Sequence, residues 1–362
     1  MRVVGGQGGA KGLYVAECKG LAGGSRVNLV RHRIGTEGRE APTVSAMNYD
    51  EVIMVSVGNS RTRVASWRGR AQDAGEGAKA EGLQPSRVLM NEPREGLVAG
   101  VAEALAATVG DRVALVLATV NERVSTALLD ALRERLGGQM VRAYRLVVPK
   151  VKGGSVGDED APAGGVSDGA SRLPIPMLTE LSPPLTVGVD RLLCALAAHR
   201  RGGEASVVID AGTAVTVDFV DAFGVFKGGV IAPGYRMMLA CLGAGTGALP
   251  TLDGAVALPE GELGRTTPDA IRLGCAGAVR GLARLQIDRY AAMNHAYPRV
   301  LATGGDAPMI FEQDDLVEHI VPDLVLMGME TAWTMLNAGQ DEHADDDERD
   351  DEGDDEGDDD DA

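Results

Sequence analysis

The feature that most constrains the fold is a pattern that occurs twice: an apolar strand, a glycine-containing turn and a second apolar strand. In the first copy Val52–Val57 precedes the turn Gly58-Asn59, and Arg63–Trp67 follows it. In the second copy Ala211-Gly212-Thr213 separates the apolar runs Ser206–Asp210 and Ala214–Val220. Apolar runs joined through a short glycine turn predict a β-hairpin. The chain is therefore expected to contain one such hairpin in each half.

Alternating helix and strand patterns surround each hairpin. In the first half the later segments are a helix at 96–108, a buried strand at 112–120, a helix at 122–136 and a strand at 139–149. In the second half they are a helix at 190–201, a strand at 226–231, helices from 235 and across 269–292, a strand at 299–303 and a closing helix at 324–336. Two similar α/β halves, each with its hairpin, are the layout of a duplicated actin-like (ribonuclease H-like) fold. Alternation alone would equally allow a Rossmann fold, so the motifs must decide.

Acidic residues are concentrated at the C-terminal end. The 362 residues carry a formal net charge of −18, and 341–362 contain sixteen acidic side chains against one arginine. The rest of the chain is therefore close to neutral, which excludes a strongly basic nucleic-acid-binding face. We predict a disordered acidic tail at 341–362, because such a segment cannot bury apolar surface. The Gly- and Arg-rich stretch 1–46 is predicted to be a disordered extension, which leaves 47–187 and 188–340 as the two halves.

Cysteine spacing and hydropathy exclude two further classes. The four cysteines form no Cys-x-x-Cys pair and have no histidine at ligand spacing, which excludes a zinc site. The sequence contains no run of 18 apolar residues, which a membrane-spanning helix would require, and its N-terminus has no signal-peptide core. We therefore expect a cytoplasmic protein without nucleic-acid or membrane partners.

The second hairpin carries the densest set of functional groups. Its first strand places Asp210 at its end, Gly212 allows a ligand to approach the backbone, and Thr213 offers a hydroxyl. Backbone N–H groups and hydroxyls in such a turn can hold a phosphate, and a neighbouring carboxylate can hold a cation. An ordinary hairpin that uses Asp and Gly as turn formers fits the segment equally well.

The segment Gly188-Val189-Asp190-Arg191 lies just before a predicted helix. Asp190 is at a natural N-cap position, and capping alone would explain it. In the functional alternative, Asp190 is a general base and Arg191 holds an anionic group of the substrate. The glycine-bracketed strand 227–234 and the pair Gly304-Gly305, which could give room to a nucleoside, are weak signals on their own.

Taken together and in order, these segments resemble the type III pantothenate kinase family. The motifs are GVDR at 188–191, DAGTAVTVD at 210–218, KGGVIAPG at 227–234, GRTTPDAIRLG at 264–274 and ATGGD at 302–306. The resemblance covers about 51–338. It implies the duplicated actin-like fold, a homodimer, and phosphorylation of pantothenate by ATP, the first step of coenzyme A biosynthesis. It also implies a requirement for potassium or ammonium and for Mg²⁺.

The resemblance assigns roles residue by residue. Asp190 is implied to be the catalytic proton acceptor, and Asp210 the potassium ligand. The implied pantothenate contacts are Gly188, Val189, Asp190, Arg191 and Thr267. The implied ATP contacts are Ser56, Val57, Gly58, Asn59, Ser60, Arg61, Thr62 and Arg63 in the first hairpin and Thr213 in the second.

The chain departs from the family pattern at three positions. Ser56 stands where the family has an Asp, Thr266 where it has an Asn, and Leu181 where it often has an aromatic residue. The neutral Ser56 leaves open an alternative in which the chain is a binding or regulatory protein on the same scaffold. A sugar or acetate kinase of this fold is remote, because it should lack GVDR at this distance from DAGTA.

Overall fold

The computed structural model describes residues 49–69, 82–108, 112–136, 141–149, 170–181 and 186–347. Residues 1–46 of the predicted extension and 348–362 of the predicted tail lie outside the described residues. The elements up to 181 are β1 (Glu51–Val57), β2 (Arg61–Arg68), β3 (Gly82–Leu83), β4 (Arg87–Met90), α1 (Arg94–Ala106), β5 (Val113–Thr119), α2 (Glu122–Arg135), β6 (Arg142–Val147), β7 (Ser171–Pro174) and β8 (Leu178–Thr179). The later elements are α3 (Val189–Gly202), β9 (Ser206–Ala211), β10 (Ala214–Val220), β11 (Val225–Pro233), α4 (Tyr235–Gly245), α5 (Thr267–Asn294), β12 (Arg299–Thr303), α6 (Ala307–Phe311), β13 (His319–Ile320) and α7 (Leu324–Asp347).

The described strands form two mixed sheets. The first has the order β3-β2-β1-β5-β6-β7, with β4 also paired to β2. The hairpin strands β1 and β2 are antiparallel, with Ser56 opposite Arg63, whereas β1 and β5 are parallel. The second sheet has the order β13-β12-β9-β10-β11-β8. Here β9 and β10 are antiparallel and β9 and β12 are parallel.

The same order and directions occur in both halves. The series β4-β2-β1-β5-β6 of the first sheet corresponds to β11-β10-β9-β12-β13 of the second. A Rossmann sheet would be mostly parallel, so the antiparallel hairpin at the centre of each sheet excludes that alternative. The duplicated actin-like fold predicted from the sequence is confirmed.

Each sheet has a buried hydrophobic core. In the first half, α1 and α2 cover the sheet and pack residues such as Leu97 and Leu128 against Ile53 and Val55 of β1. Five consecutive residues of β1, Glu51–Val55, are buried, as expected for a central strand covered on both faces. In the second half, α5 and α6 contribute to the core on one face of β9 and β10.

One element from each half packs against the other half. The short strand β8 pairs with β11 of the second sheet, although it precedes the boundary predicted at 187. Helix α7 packs along α3 and also contacts β1, β2 and β3. Its Trp333 is fully buried and lies against Tyr49 and Tyr144 of the first half. Helix α7 continues to Asp347, beyond the predicted end at 336, and the boundary drawn at 340 falls inside it.

The patterns missed only short elements. The strands β3, β4, β7, β8 and β13 and the helix α6 have two to five residues each, too few to show a hydrophobic period. None of the helices in the described part of the chain is long and apolar enough to span a bilayer.

Candidate active site

Both hairpin turns line one cavity of about 470 Å³ between the two sheets. The predicted residues on its wall are Ser56, Val57, Gly58, Asn59, Ser60, Arg61, Arg63, Asp190, Asp210 and Thr213. The paired glycines Gly304 and Gly305, which follow β12, also line it. The structure thus brings together residues that lie far apart in the sequence, such as Ser56 and Gly305, which are 249 positions apart.

The two turns touch at their tips. The hydroxyl oxygens of Ser60 and Thr213 lie 3.1 Å apart, a hydrogen bond between the first hairpin and the second. Each turn is closed by a glycine: the N–H of Gly58 donates to the carbonyl of Arg61, and the N–H of Gly212 donates to that of Ala214, both at 3.0 Å. The cavity therefore has a glycine turn on each side, and the free backbone N–H groups of such turns can hold phosphate groups.

Asp190 lies in the first turn of α3, and the N-cap residue is Gly188. The expected capping position of Asp190 is therefore wrong by two residues, although its Oδ1 does accept the N–H of Arg191 at 2.8 Å. A Cβ at position 188 would lie 2.5 Å from that oxygen, so a glycine is needed there to make room for the carboxylate. Burial raises the pKa of Asp190, and the Arg191 N–H opposes the rise.

Asp210 stands at the end of β9 and faces the cavity. Burial raises its pKa to about 7; the nearby Asp190 carboxylate adds to the rise, and Arg63 opposes it. No hydrogen-bond donor reaches its carboxylate among the described residues. Gly304, at φ 95°, keeps the space beside it open, since a Cβ there would lie 2.5 Å from Asp210 Oδ1 and 2.4 Å from the Ala211 carbonyl. Asp210 is therefore a carboxylate at the cavity wall that could hold a cation.

Arg191 points away from the cavity wall and into the second sheet. Its Nε donates to both carboxylate oxygens of Asp218 at 3.0 Å, and its Nη2 also contacts Asp218. Its guanidinium carbon lies 5.8 Å from the ring centre of Phe226. Gly229 makes this pairing possible, because a Cβ there would lie 2.4 Å from Asp218 Oδ1. The predicted contact of Arg191 with an anionic substrate would have to use its remaining donors.

Arg63 connects the first hairpin to the second half. Its Nη1 donates to Asp323 at 2.9 Å, and Ser86 donates its hydroxyl to the same carboxylate oxygen at 2.7 Å. Asp323 directly precedes α7. The arginine at the cavity wall is therefore tied to the start of the helix that packs across both halves.

Five of the predicted contacts do not line the cavity: Gly188, Val189, Arg191, Thr62 and Thr267. Thr62 is fully buried behind the first turn, and Thr267 is exposed at the first residue of α5. The ring of Tyr290 near the other end of α5 stacks on Phe219, the neighbour of Asp218 in β10, with 4.6 Å between centroids. Thr267 lies 23 residues before Tyr290, or about 34 Å along a helix. Within one chain Thr267 is therefore far from Arg191.

Sequence reasoning missed several polar residues of the site. Arg236 and Asp306 line the cavity and form an ion pair at 2.7 Å, and no motif pointed to Arg236. Asp218 belongs to the DAGTAVTVD motif, but its role as the partner of Arg191 depends on a strand pairing that the motif does not show. The described residues contain no cluster of three or more histidine, cysteine or acidic side chains that could hold a metal ion.

Comparisons with known proteins support the resemblance. Residues 167–289 match the family model described as type III pantothenate kinase. The type III pantothenate kinase of Rhodopirellula baltica is 43% identical over 162 residues, which are 42% of this chain and 58% of that protein. That of Alkalilimnicola ehrlichii is 46% identical over 151 residues, 40% of this chain and 57% of that protein. The chain thus spans somewhat more than half the length of the curated relatives it matches.

Among solved structures, component A of (R)-2-hydroxyglutaryl-CoA dehydratase from Acidaminococcus fermentans covers 80% of this chain and 99% of its own, with 14% identity and a TM-score of 0.38. The fold assignment rests on the repeated strand order described above. The family match is shorter than the expected 51–338; it includes Asp190, Arg191, Asp210, Thr213 and Thr267 but not the first hairpin. Over 167–289, the chain matches the type III pantothenate kinase family.

Proposed function

We propose that the protein transfers the γ-phosphoryl group of ATP to pantothenate and forms 4′-phosphopantothenate, the first step of coenzyme A biosynthesis. The observation that carries this proposal is the convergence of the first hairpin turn, the second hairpin turn and Asp190 on one cavity. The sequence match over 167–289 supplies the substrate class.

The reaction would use the residues as follows. The primary hydroxyl oxygen of pantothenate bonds to the γ-phosphorus of ATP while the bond from that phosphorus to the β,γ-bridging oxygen breaks, which releases ADP. The hydroxyl proton passes to the carboxylate of Asp190, whose raised pKa makes it a stronger base than a free Asp. The glycine turns hold the phosphates in line with the hydroxyl, which is the main requirement of phosphoryl transfer.

Asp210 is the residue that would hold potassium or ammonium, and the charge of this cation would offset that of the phosphates. Mg²⁺ would arrive with ATP as part of the substrate. The neutral Ser56 lines the cavity at the end of β1, where the family has a carboxylate, so the phosphates themselves would supply most of the Mg²⁺ ligands. The contacts assigned to Ser56–Arg61, Arg63 and Thr213 are proposed on the same basis, whereas the buried Thr62 is not an ATP contact in this proposal.

A homodimer is part of this proposal. Thr267 is implied to contact pantothenate, yet it lies about 34 Å along α5 from Tyr290, which stacks on the neighbour of Asp218 in β10. If Thr267 serves a site that contains Arg191, a second copy of the chain has to supply it. The location in the cytoplasm and the lack of nucleic-acid or membrane partners stay predictions from composition.

The test is a coupled assay of ADP release with pantothenate and ATP, in potassium and in a matched concentration of tetramethylammonium. We expect turnover that depends on pantothenate and is stimulated by potassium. No turnover in either buffer would refute the kinase and favour a binding or regulatory protein. Mixed dimers provide a second test: a Thr267→Ala chain and an Asp190→Asn chain should regain part of the activity when combined if sites are shared between copies.

A further inference from the structure

A buried asparagine outside every sequence motif braces the first hairpin turn. Asn91 lies between β4 and α1 and is 4% exposed. Its Nδ2 donates to the carbonyls of Gly58 at 2.9 Å and Asn59 at 3.1 Å, and its backbone N–H donates to the carbonyl of Ser60 at 3.1 Å. Its Oδ1 accepts the hydroxyl of Thr62 at 2.7 Å. The side chain and backbone N–H of Asn91 thus bind four of the five residues 58–62, all except Arg61.

These hydrogen bonds occupy the carbonyl groups of the turn but leave two of its N–H groups unpaired by the described residues. The carbonyl of Arg61 is taken by the N–H of Gly58, so all four carbonyls of residues 58–61 have donors within the protein. The N–H groups of Asn59 and Ser60 have no acceptor in the described part of the chain, and both residues line the cavity. A phosphate offers only acceptors at neutral pH, so it is attracted by free N–H groups and repelled by carbonyl oxygens.

We propose that Asn91 is a positioning residue that holds the carbonyls of the first turn away from the cavity and leaves the Asn59 and Ser60 N–H groups for the phosphates of a nucleotide. Thr62 is then part of the brace, since its hydroxyl fixes the Asn91 amide with the NH₂ group toward the turn. This inference rests on the nucleotide site of the proposed function but does not depend on pantothenate as the acceptor.

The test compares the affinity of Asn91→Ala, Asn91→Asp and wild-type protein for a non-hydrolysable ATP analogue and for adenosine, by calorimetry with magnesium and potassium. We expect each variant to bind the analogue about tenfold more weakly or worse, because the carbonyls are free to turn toward the phosphates. Adenosine binding should stay within about twofold of wild type, since adenosine has no phosphate. Asn91→Asp has the same shape and keeps an acceptor for Thr62, so it serves if Asn91→Ala does not fold.

Asp221→Ala is the matched control. Asp221 braces the turn between β10 and β11 by accepting the N–H groups of Phe223 and Val225, each at 2.9 Å, at the end of β10 opposite the cavity. This variant should lose stability without losing affinity for the analogue. The proposal is overturned if the Asn91 variants bind the analogue like wild type, if they lose adenosine and analogue equally, or if wild type binds neither. Wild-type protein that binds the analogue but does not phosphorylate pantothenate would refute only the proposed function.

Discussion

The replacement Asp210→Asn tests the cation site through stability rather than activity. Burial raises the pKa of Asp210 from 3.8 to about 7, so between these values the folded protein holds a proton that the unfolded chain releases. The free energy of unfolding therefore falls as the pH rises from about 4 to 7, and above pH 7 the protein has lost all the stability that ionising this buried carboxylate removes. Below pH 4 the carboxylate is protonated in both the folded and the unfolded state, so no stability is lost. Asparagine cannot ionise, so the variant lacks this dependence.

The size of the effect follows from the shift. One pKa unit corresponds to about 1.4 kcal/mol, so raising the pKa of Asp210 from 3.8 to about 7 costs about 4 kcal/mol of stability at pH 8. Water in the cavity lowers this value, and Asp210→Asn should gain about 1–4 kcal/mol over wild type at pH 8 and close to nothing at pH 4. A ligand that binds only the ionised form stabilises that form by mass action. Potassium should therefore reduce the advantage of the variant.

Thermal unfolding of both proteins at pH 5, 6, 7 and 8 measures this difference, in potassium and in tetramethylammonium. We expect the Tm of Asp210→Asn to exceed that of wild type by a margin that grows with pH in tetramethylammonium and shrinks in potassium. A difference that is independent of pH would refute the raised pKa. A difference that depends on pH but is the same in both salts would refute Asp210 as the cation ligand.

Three other substitutions test the site. Asp190→Asn should lower kcat at least about 100-fold with little change in Tm, because Gly188 is the helix cap and a side-chain oxygen is kept; a kcat near that of wild type would leave Asp190 without a catalytic role. Ser56→Asp should lower the KM for Mg-ATP by adding a carboxylate that can hold Mg²⁺ or its water ligands, and an unchanged or higher KM contradicts this. Asp218→Asn should lower Tm and raise the KM for pantothenate about tenfold, because it weakens the buried pair that orients Arg191; an equal rise in the KM for ATP would indicate general damage.

The sequence predicted the hairpins well because each is an apolar run with a glycine turn, and burial and turn chemistry are local. Asp190 and Asp210 were found for the same reason: each stands at the end of an element that the pattern locates. Asn91 could not be found, since its four hydrogen bonds join the loop after β4 to a turn about thirty residues earlier. The pairing of Arg191 with Asp218 could not be predicted from the sequence either, because it depends on how α3 packs beside β10. Position along the chain likewise gave no sign that Thr267 lies far from Arg191.

The backbone of the first hairpin turn and the side chain at its tip are attached differently, and this bears on how a nucleotide could enter. The backbone of the turn is held by the buried Asn91, and Arg63 is tied to Asp323 and the start of α7. At the tip, Ser60 meets Thr213 through one exposed hydrogen bond between hydroxyls. Such a bond contributes about 1 kcal/mol or less, and a phosphate inserted between the turns could replace it with bonds to both hydroxyls. Because Asn91 holds the backbone of Ser60 and its neighbours, we expect phosphates to separate the hydroxyls of Ser60 and Thr213 without releasing the turn that presents the N–H groups.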